Sequence, residues 1–353
     1  MFGLKRIGAA IALLAAILLA GQAAQAGNAT PLFASEGTVK LRIEAPFNDL
    51  VRAASRSTDP YEAKIKLLGT GAEEHAITLA ARGIARRKPW VCDFPPLRIV
   101  FKEKPAATSL FKGQKTLKLS THCRAAASFQ DYSLLEYAAY RLYNVLTPQS
   151  FRVRLAEVDY VEAKTGALRL RRFGFLIEDA DDMADRNDLK EIELAAIERR
   201  QLNIAATARS DLFQYMVGNL DWSNIAAVQG ADCCHNVKLL GAAAGSISSL
   251  VPVPYDFDSS GLVNAPYALP PPSVPVRSVR TRYYRGYCEF NSHVKDAAAA
   301  ILAKRDALLT SIAGTPQLSE RAKASAAQYL NAFFEQIADP AAIKRRILST
   351  CRG

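Results

Sequence analysis

The sequence lacks the motifs of the common hydrolases. It contains no Gly-x-Ser-x-Gly elbow and no His-Glu-x-x-His pair, and its four histidines have no metal-ligand spacing. A serine hydrolase of the elbow type and a zinc protease are therefore unsupported. Cys-His finger spacing and aromatic-studded strands are also absent, so nucleic acid is the weakest partner for this chain.

Long apolar runs are missing after the first 26 residues, because charged residues interrupt every later hydrophobic stretch. Before that point, two basic residues precede an uncharged apolar run over residues 7–20, and small residues follow at Ala24 and Ala26. The run is shorter than the roughly 20 residues that span a bilayer. The pattern predicts a signal peptide over residues 1–26. We therefore expect a periplasmic or secreted mature chain that begins at Gly27 and has no integral membrane segment.

Acidic residues are outnumbered by basic ones, 34 against 45, which gives a formal net charge of +11. The predicted signal peptide carries two basic residues and no acidic ones, so its removal lowers the charge by two, to +9. A basic surface attracts acidic proteins, anionic lipid headgroups, cell-surface polymers and nucleotide phosphates.

All six cysteines follow the predicted signal peptide, and an even number in an oxidising compartment predicts disulfides. Cys92 and Cys123 are the expected pair, since both flank strands of one expected sheet. The adjacent Cys233 and Cys234 are expected to bond to other cysteines, because neighbouring residues close a strained ring. Zinc is the alternative, although Cys-x-x-Cys spacing is missing. Its ligands would be Cys233, Cys234, His235, Cys288 and His293.

Short segments in which apolar and polar residues alternate dominate the chain up to residue 179 and predict strands. The predicted strands lie at residues 39–44, around 65, and at 75–81, 97–102, 116–120, 151–161 and 168–177. We expect the first five to form one antiparallel sheet and the last two to form a hairpin. A helical apolar period predicts one helix over residues 131–146.

The chain after residue 179 has mostly helical periodicity. An apolar stripe from Ile204 ends at Gly218, and two short strands are predicted at residues 236–240 and 250–255. Three further helices are predicted at residues 292–313, 318–337 and 340–349. The predicted fold class is α+β, with a strand-rich lobe over residues 27–179 and a mostly helical lobe over residues 180–353.

Three polar residues follow the order that phosphoryl transfer requires. Asp221 ends a helix, Asn236 opens a strand, and Asp256 ends the next strand. A kinase needs one carboxylate to orient and deprotonate the acceptor hydroxyl, and oxygen ligands for the metal ions on the nucleotide phosphates. Asn and Asp are also ordinary turn and cap residues, which is the structural alternative.

The segments around these residues resemble the CotH kinase family and, more distantly, the HipA-type kinases. In that family, residues 218–223 correspond to the catalytic loop, residues 235–240 to the metal-binding Asn and its strand, and residues 253–261 to the counterpart of the DFG motif. The resemblance extends over roughly residues 60–262. It implies an atypical protein-kinase-like fold with a strand-rich amino-terminal lobe and a mostly helical carboxy-terminal lobe.

The same resemblance implies roles for individual residues. Asp221 is the expected catalytic residue, and Asn236 and Asp256 are the expected metal ligands. Asn224 is a rival ligand, because an insertion with two cysteines separates Asp221 from Asn236. Lys118, with Lys102 as second choice, is the expected nucleotide-contacting lysine. Cofactor contacts are also expected at Glu136 of the following helix and at Glu178 of the hinge segment.

Two functions follow from the resemblance. The first is an exported kinase that transfers phosphate from ATP to a protein hydroxyl with Mg²⁺ or Mn²⁺, so that its partners are a nucleotide and a protein substrate. The second is a cell-surface binding protein or adhesin on the same fold that has lost catalysis. Scarce ATP outside the cytoplasm favours the second function, as does the sequence Ile84-Ala85-Arg86 after the Arg-Gly pair, where the family has small polar residues.

Overall fold

The computed structural model describes residues 29–227 and 233–353, so the predicted signal peptide lies outside the described residues. Within those residues, helices that combine the length and apolar character needed to cross a membrane are not found.

The amino-terminal part is built around a closed barrel of seven strands. They are β1 (Val39–Ala45), β2 (Tyr61–Leu67), β3 (Glu73–Ala81), β4 (Leu97–Phe101), β5 (Thr116–Ser120), β6 (Val153–Glu162) and β7 (Leu168–Ile177). The order around the barrel is β1-β2-β3-β4-β5-β7-β6. The hairpin of β6 and β7 confirms the prediction for this pair.

The first five strands pair antiparallel with their neighbours, as predicted, but the sheet continues through β7 and β6 and closes on itself. Strand β1 pairs with β6 in parallel, from Val39 opposite Ala156 to Ala45 opposite Glu162, and this pairing closes the sheet. A closed seven-stranded barrel also differs from the open amino-terminal sheet of an ordinary protein kinase. Closure depends on strands that are far apart in sequence, so local alternation gives no sign of it.

The barrel encloses its own hydrophobic core. Alternating residues of β1, among them Leu41 and Ile43, are fully buried, while Lys40 and Arg42 face outward. Helix α1 (Phe47–Ala53) packs on β6 and β3 and contributes the buried ring of Phe47. Apolar alternation therefore sets which face of each strand lies inside.

Helix α2 (Phe129–Leu146) lies between β5 and β6 in sequence but packs into the second, carboxy-terminal core. The stripe of Leu134, Ala138 and Leu142 is buried, as its helical period predicts. The predicted lobe boundary falls between β7 and the next helix. Because α2 shares its core with the carboxy-terminal helices, the two parts are packed together through this helix.

The carboxy-terminal part is mostly helical. Its helices are α3 (Ala180–Asp185), α4 (Ile204–Val217), α5 (Val294–Ala303), α6 (Arg305–Ala313), α7 (Glu320–Ala338) and α8 (Pro340–Ile343). Strands β8 (Lys190–Ile192), β9 (Val237–Gly241) and β10 (Val251–Pro254) form an antiparallel sheet. Short 3₁₀ turns occur at Pro31–Phe33, Ala85–Arg87, Arg199–Gln201 and Cys288–His293, and a π turn at Lys344–Leu348.

Two details of this part differ from the predictions. Strand β8 lies in a charged segment that was expected to be mostly helical, and its pairing with β9 supplies the hydrogen bonds that the local sequence does not. The helix predicted over residues 292–313 is interrupted at Lys304, whose ammonium donates to the carbonyls of Val145 and Leu146 at the end of α2.

All six cysteines form disulfides, which is consistent with an extracytoplasmic protein. The predicted pair, Cys92 and Cys123, is confirmed. The expectation that Cys233 and Cys234 bond elsewhere is wrong, because these neighbours bond to each other. Cys288 bonds to Cys351. No thiolate therefore remains for the alternative zinc site.

A buried histidine at the end of the barrel gives the stability a defined pH dependence. His122 is 1% exposed and stacks on Phe94 at 4.9 Å between ring centroids. Burial, together with the positive charge of Arg172, lowers the pKa of His122 to about 3. Between about pH 6.5 and 3 the unfolded chain binds a proton here that the folded protein does not.

We therefore expect the free energy of unfolding to fall with decreasing pH through this window, by up to roughly 1.4 kcal/mol per pH unit from His122. His122→Phe keeps a ring against Phe94 and removes the titrating group, so it should flatten this dependence. Urea unfolding at a series of pH values measures both slopes. Identical slopes for the two proteins would contradict the assignment.

Candidate functional site

A close backbone approach places the first predicted site segment. Helix α4 ends at Gly218, which has φ of +66°, and the Gly218 carbonyl accepts a hydrogen bond from the Gly261 amide at 2.9 Å. A Cβ atom at Gly218 would lie 2.1 Å from the Tyr329 hydroxyl oxygen. Only glycine fits here, and the contact holds the segment after α4 beside the segment after β10.

Asp221 lies in the loop that follows, where two neighbours orient its carboxylate. His235 Nε2 donates to Asp221 Oδ1 at 2.7 Å. The Asn236 amide nitrogen donates to the Asp221 carbonyl at 2.7 Å and lies 3.4 Å from Oδ2. The hydrogen bond to Asp221 raises the pKa of His235 above its ordinary value. The Asp221 side chain is 45% exposed, so it is held in place but accessible.

Asp256 follows β10, and its carboxylate interacts electrostatically with that of Asp221. Its backbone amide donates to the Tyr140 hydroxyl of α2 at 2.9 Å. Burial and the nearby Asp258 carboxylate raise the pKa of Asp256 to about 6, and the cations Arg82 and Arg86 act against that rise. Asp221 also contributes to the rise. Asp221 and Asp258 are therefore both close enough to Asp256 to act on its carboxylate electrostatically.

Asn236 and Asp256 both have left-handed backbone conformations, with φ of +54° and +61°. The Asn236 carbonyl accepts a hydrogen bond from the Tyr255 amide at 3.0 Å, which ties the two segments together. Such conformations are uncommon for residues other than glycine and occur often at functional sites.

The structure adds a residue that the sequence reasoning did not assign to the site. Arg86, in the loop between β3 and β4, is 7% exposed and extends toward the acidic side chains of the site. Its Nη1 lies 3.3 Å from Glu136 Oε2, and its Nε lies 4.0 Å from Asp258 Oδ2. Its Nη2 donates to the Thr121 carbonyl at 2.6 Å.

The charges around Arg86 favour its protonated form. Although burial lowers it, the neighbouring Tyr267, Glu136 and Asp258 together raise the pKa of Arg86 above its ordinary value. The Tyr267 hydroxyl donates to Asp258 at 3.2 Å. Arg86 is therefore a permanent cation at the inner end of the site. The only sequence signal for it was its place shortly after the Arg-Gly pair of residues 82 and 83.

Glu136 and Lys118, the two residues predicted to contact the cofactor, have different surroundings. Glu136 is 3% exposed and pairs with Arg86 and with the Ser120 hydroxyl, which donates at 2.8 Å. Lys118 is half-buried in the middle of β5, and burial lowers the pKa of its amine while Asp179 acts against that change. In the described part of the chain, hydrogen bonds or ion pairs between Lys118 and Glu136 are absent.

Two of the other predicted residues have partners outside this cluster. Lys102 forms an ion pair with Glu62, in which both side chains are exposed. The Asn224 amide is fully buried and donates to Asp211 Oδ1 at 2.7 Å. The roles given to these residues stay predictions.

Glu178 is fully buried directly after β7. Its carboxylate accepts from Arg186 Nε at 2.8 Å and from the Arg152 amide at 2.8 Å. The hinge segment is therefore fixed by this buried ion pair. A nucleotide contact by Glu178 stays a prediction.

A second cluster of acidic residues includes Asp179, which acts electrostatically on Lys118. One oxygen from each of Asp179, Asp181 and Glu191 lies within 4.8 Å of the others. Lys238 Nζ is 2.5 Å from Glu191 Oε1, so this group already has a cation.

The sequence matches no protein-family model, and it has no match among curated proteins. Among solved structures, the chain is similar to a Helicobacter pylori proinflammatory kinase, CtkA. The TM-score is 0.37 and the identity 12%, over 80% of this chain and 91% of that one.

The Arg86 ion pair generates a stability prediction. Arg86→Met leaves Glu136 buried without its cation, so the free energy of unfolding should fall by about 3–5 kcal/mol. Arg171→Met is the matched control, because it breaks an ion pair with Asp159 in which Arg171 is 58% exposed. The control should cost less than about 1 kcal/mol.

Urea unfolding measures both variants. The double variant Arg86→Met/Glu136→Gln should recover part of the loss, since it removes the uncompensated charge. Equal losses for Arg86→Met and Arg171→Met would contradict the buried ion pair.

Proposed function

We propose that the site around Asp221, Asn236 and Asp256 transfers the γ-phosphate of ATP to a hydroxyl group of a protein substrate, and that the protein is an exported kinase. The observation that carries this proposal is the meeting of these three residues from separate segments. A purely capping role for each would give no reason for their grouping.

Asp221 is the proposed catalytic residue. Its carboxylate is partly exposed and is oriented by His235 and Asn236, which suits a group that must meet an acceptor hydroxyl. In the proposed step the acceptor oxygen bonds to the γ-phosphorus and the bond from that phosphorus to the leaving ADP oxygen breaks. The acceptor proton goes to the Asp221 carboxylate.

The donor set fits a hard cation such as Mg²⁺ or Mn²⁺. The mutual repulsion among Asp256, Asp258 and Asp221 marks a place where a cation is favourable. Asp256 would hold the metal through its carboxylate. Asn236 would hold it through its amide oxygen, since the amide nitrogen donates to Asp221. When bound, the metal would neutralise charge on the phosphates.

Two cations of the chain are placed to attract phosphate. Arg82, at the end of β3, is half-buried and acts electrostatically on Asp256 and on Lys118. Lys118 lies on β5 near the hinge residue Asp179. Arg82 therefore gives positive charge near the proposed metal ligand Asp256, and Lys118 is near Arg82.

One observation favours the alternative, a kinase-fold binding protein without catalysis. Arg86 occupies the inner end of the site and neutralises Glu136 and Asp258. A resident guanidinium competes with a metal ion for the same carboxylates. Whether the protein binds nucleotide with metal therefore separates the two functions.

Ligand-dependent melting tests the binding. At ATP and Mn²⁺ concentrations about 100-fold above Kd, the wild type should gain about 2.7 kcal/mol of stability. Asp256→Ala should lose most of this gain, because it deletes an oxygen ligand. Asp221→Ala should keep it. Asp59→Ala, at an exposed loop position, is the matched control and should behave as the wild type.

If ATP and Mn²⁺ stabilise none of the four proteins, the proposed kinase function is wrong and the alternative, a binding protein without catalysis, replaces it. If Asp221 is only a cap, a different pattern is expected. Asp221→Ala should then lose about 0.5–2 kcal/mol of basal stability, and the ligand response should be the same in every variant.

Transfer itself is measured with ATP labelled on the γ-phosphate or on the α-phosphate. With Mn²⁺ and an acceptor protein, we expect label transfer from the γ-position, and a fall of about 10²- to 10⁴-fold in Asp221→Ala. Transfer of the α-label would instead indicate nucleotidylation and contradict the kinase reaction.

A further inference from the structure

Two large apolar side chains stand in solvent on the loop that carries Arg86. Ile84 is 70% exposed and Trp90 is 72% exposed. We call residues 83–91 the Trp90 loop. Both side chains keep most of their surface in water, and tryptophan is among the residues enriched at interaction surfaces.

The Trp90 loop is fixed to the body of the protein. Arg86 extends from it into the buried site described above. Arg124 donates through Nη2 to the Trp90 carbonyl at 2.7 Å. The disulfide between Cys92 and Cys123 closes the carboxy-terminal end of the loop. The apolar side chains are therefore presented by an ordered loop, which lowers the entropy lost when they bind a surface.

Positive charge surrounds the exposed tryptophan. Lys88 Nζ lies 5.7 Å from the Trp90 ring centroid, and Arg124 binds the Trp90 carbonyl. Arg87 precedes Lys88, and the acidic residue nearest in sequence is Asp93, which is exposed. Among the ion pairs in the described part of the chain, Arg87, Lys88 and Arg124 do not take part. Their positive charge is therefore not balanced by a carboxylate, although Arg124 also donates to the carbonyls of Trp90 and Val91.

We propose that the Trp90 loop docks the protein on an anionic lipid surface. Trp90 and Ile84 enter the headgroup region, where tryptophan is favoured, and Lys88 and Arg124 contact the anionic headgroups. Two protruding side chains offer far less area than the roughly 800 Å² that a standard protein interface buries on each partner. The lipid surface is therefore the better match than an acidic protein. This binding is independent of the proposed kinase activity.

The intrinsic fluorescence of the protein reports on this docking. The sequence has two tryptophans, and the other, Trp222, is only 2% exposed. With vesicles of equal parts phosphatidylglycerol and phosphatidylcholine, the emission should shift to the blue. With phosphatidylcholine alone it should stay unchanged. Raising the salt from 0.1 M to 1 M shortens the Debye length from about 10 Å to about 3 Å and should weaken binding.

Variants test the residues. Lys88→Ala should weaken binding about fivefold, the factor that corresponds to about 1 kcal/mol per basic residue near an anionic surface. Trp90→Ala, measured by co-sedimentation with the vesicles, should lose on the order of tenfold. Leu269→Ala is the matched control, because Leu269 is 79% exposed but lies outside the loop, and it should bind as the wild type does. Melting curves confirm that each variant is folded.

Three results would overturn the proposal. These are equal binding to both kinds of vesicle, undiminished binding by Trp90→Ala, or an equal loss in Leu269→Ala. Soluble polyglutamate serves as the protein-like polyanion. If it produces the same blue shift as the anionic vesicles at equal charge, the loop recognises an acidic protein surface and the lipid assignment is wrong.

Discussion

Buried negative charge is the constraint on which the centre of this structure depends. Glu136 on α2 and Asp256 and Asp258 after β10 lie in one partly dehydrated region, where unpaired carboxylates are costly. Arg86, from the loop between β3 and β4, supplies a compensating positive charge. Its side chain extends inward to Glu136, whereas Ile84 and Trp90 of the same loop are exposed to solvent. A single ion pair thus links the barrel, α2 and the segment after β10.

Close packing of backbone against the carboxy-terminal helices sets the other side of the site. Gly218 and Gly261 both lie so near the Tyr329 hydroxyl that a Cβ atom would come within 2.1 and 2.4 Å of its oxygen. Tyr329 belongs to α7, and the guanidinium of Arg282 lies 3.6 Å from its ring centroid. The helices at the end of the chain therefore support the loop of Asp221, although none of their residues takes part in the proposed chemistry.

The pairing of Arg86 with the buried carboxylates is relevant to both candidate functions. A kinase needs the carboxylates near Asp256 to hold a metal, whereas Arg86 already neutralises part of that charge. Asn236 and Asp256 have left-handed backbones, and His235 orients the carboxylate of Asp221.

Local sequence determined much of the fold. Apolar alternation placed the β6–β7 hairpin and most barrel strands, helical period placed the buried stripe of α2, and shared strand flanks paired Cys92 with Cys123. Chemistry and order in the chain also selected Asp221, Asn236 and Asp256, which the structure brings together. Each of these features depends on residue type and on order along the chain, which a single sequence displays directly.

Only the tertiary structure decided the rest. The parallel pairing of β1 with β6 closes the barrel, β8 exists because β9 pairs with it, and Cys233 bonds to its neighbour rather than to a distant cysteine. The partner of Glu136 is Arg86 from another loop, not Lys118 from the adjacent strand. Apart from the bond between the adjacent cysteines, each deciding contact joins groups whose separation in space depends on how the whole chain packs, and local periodicity carries no information about that distance.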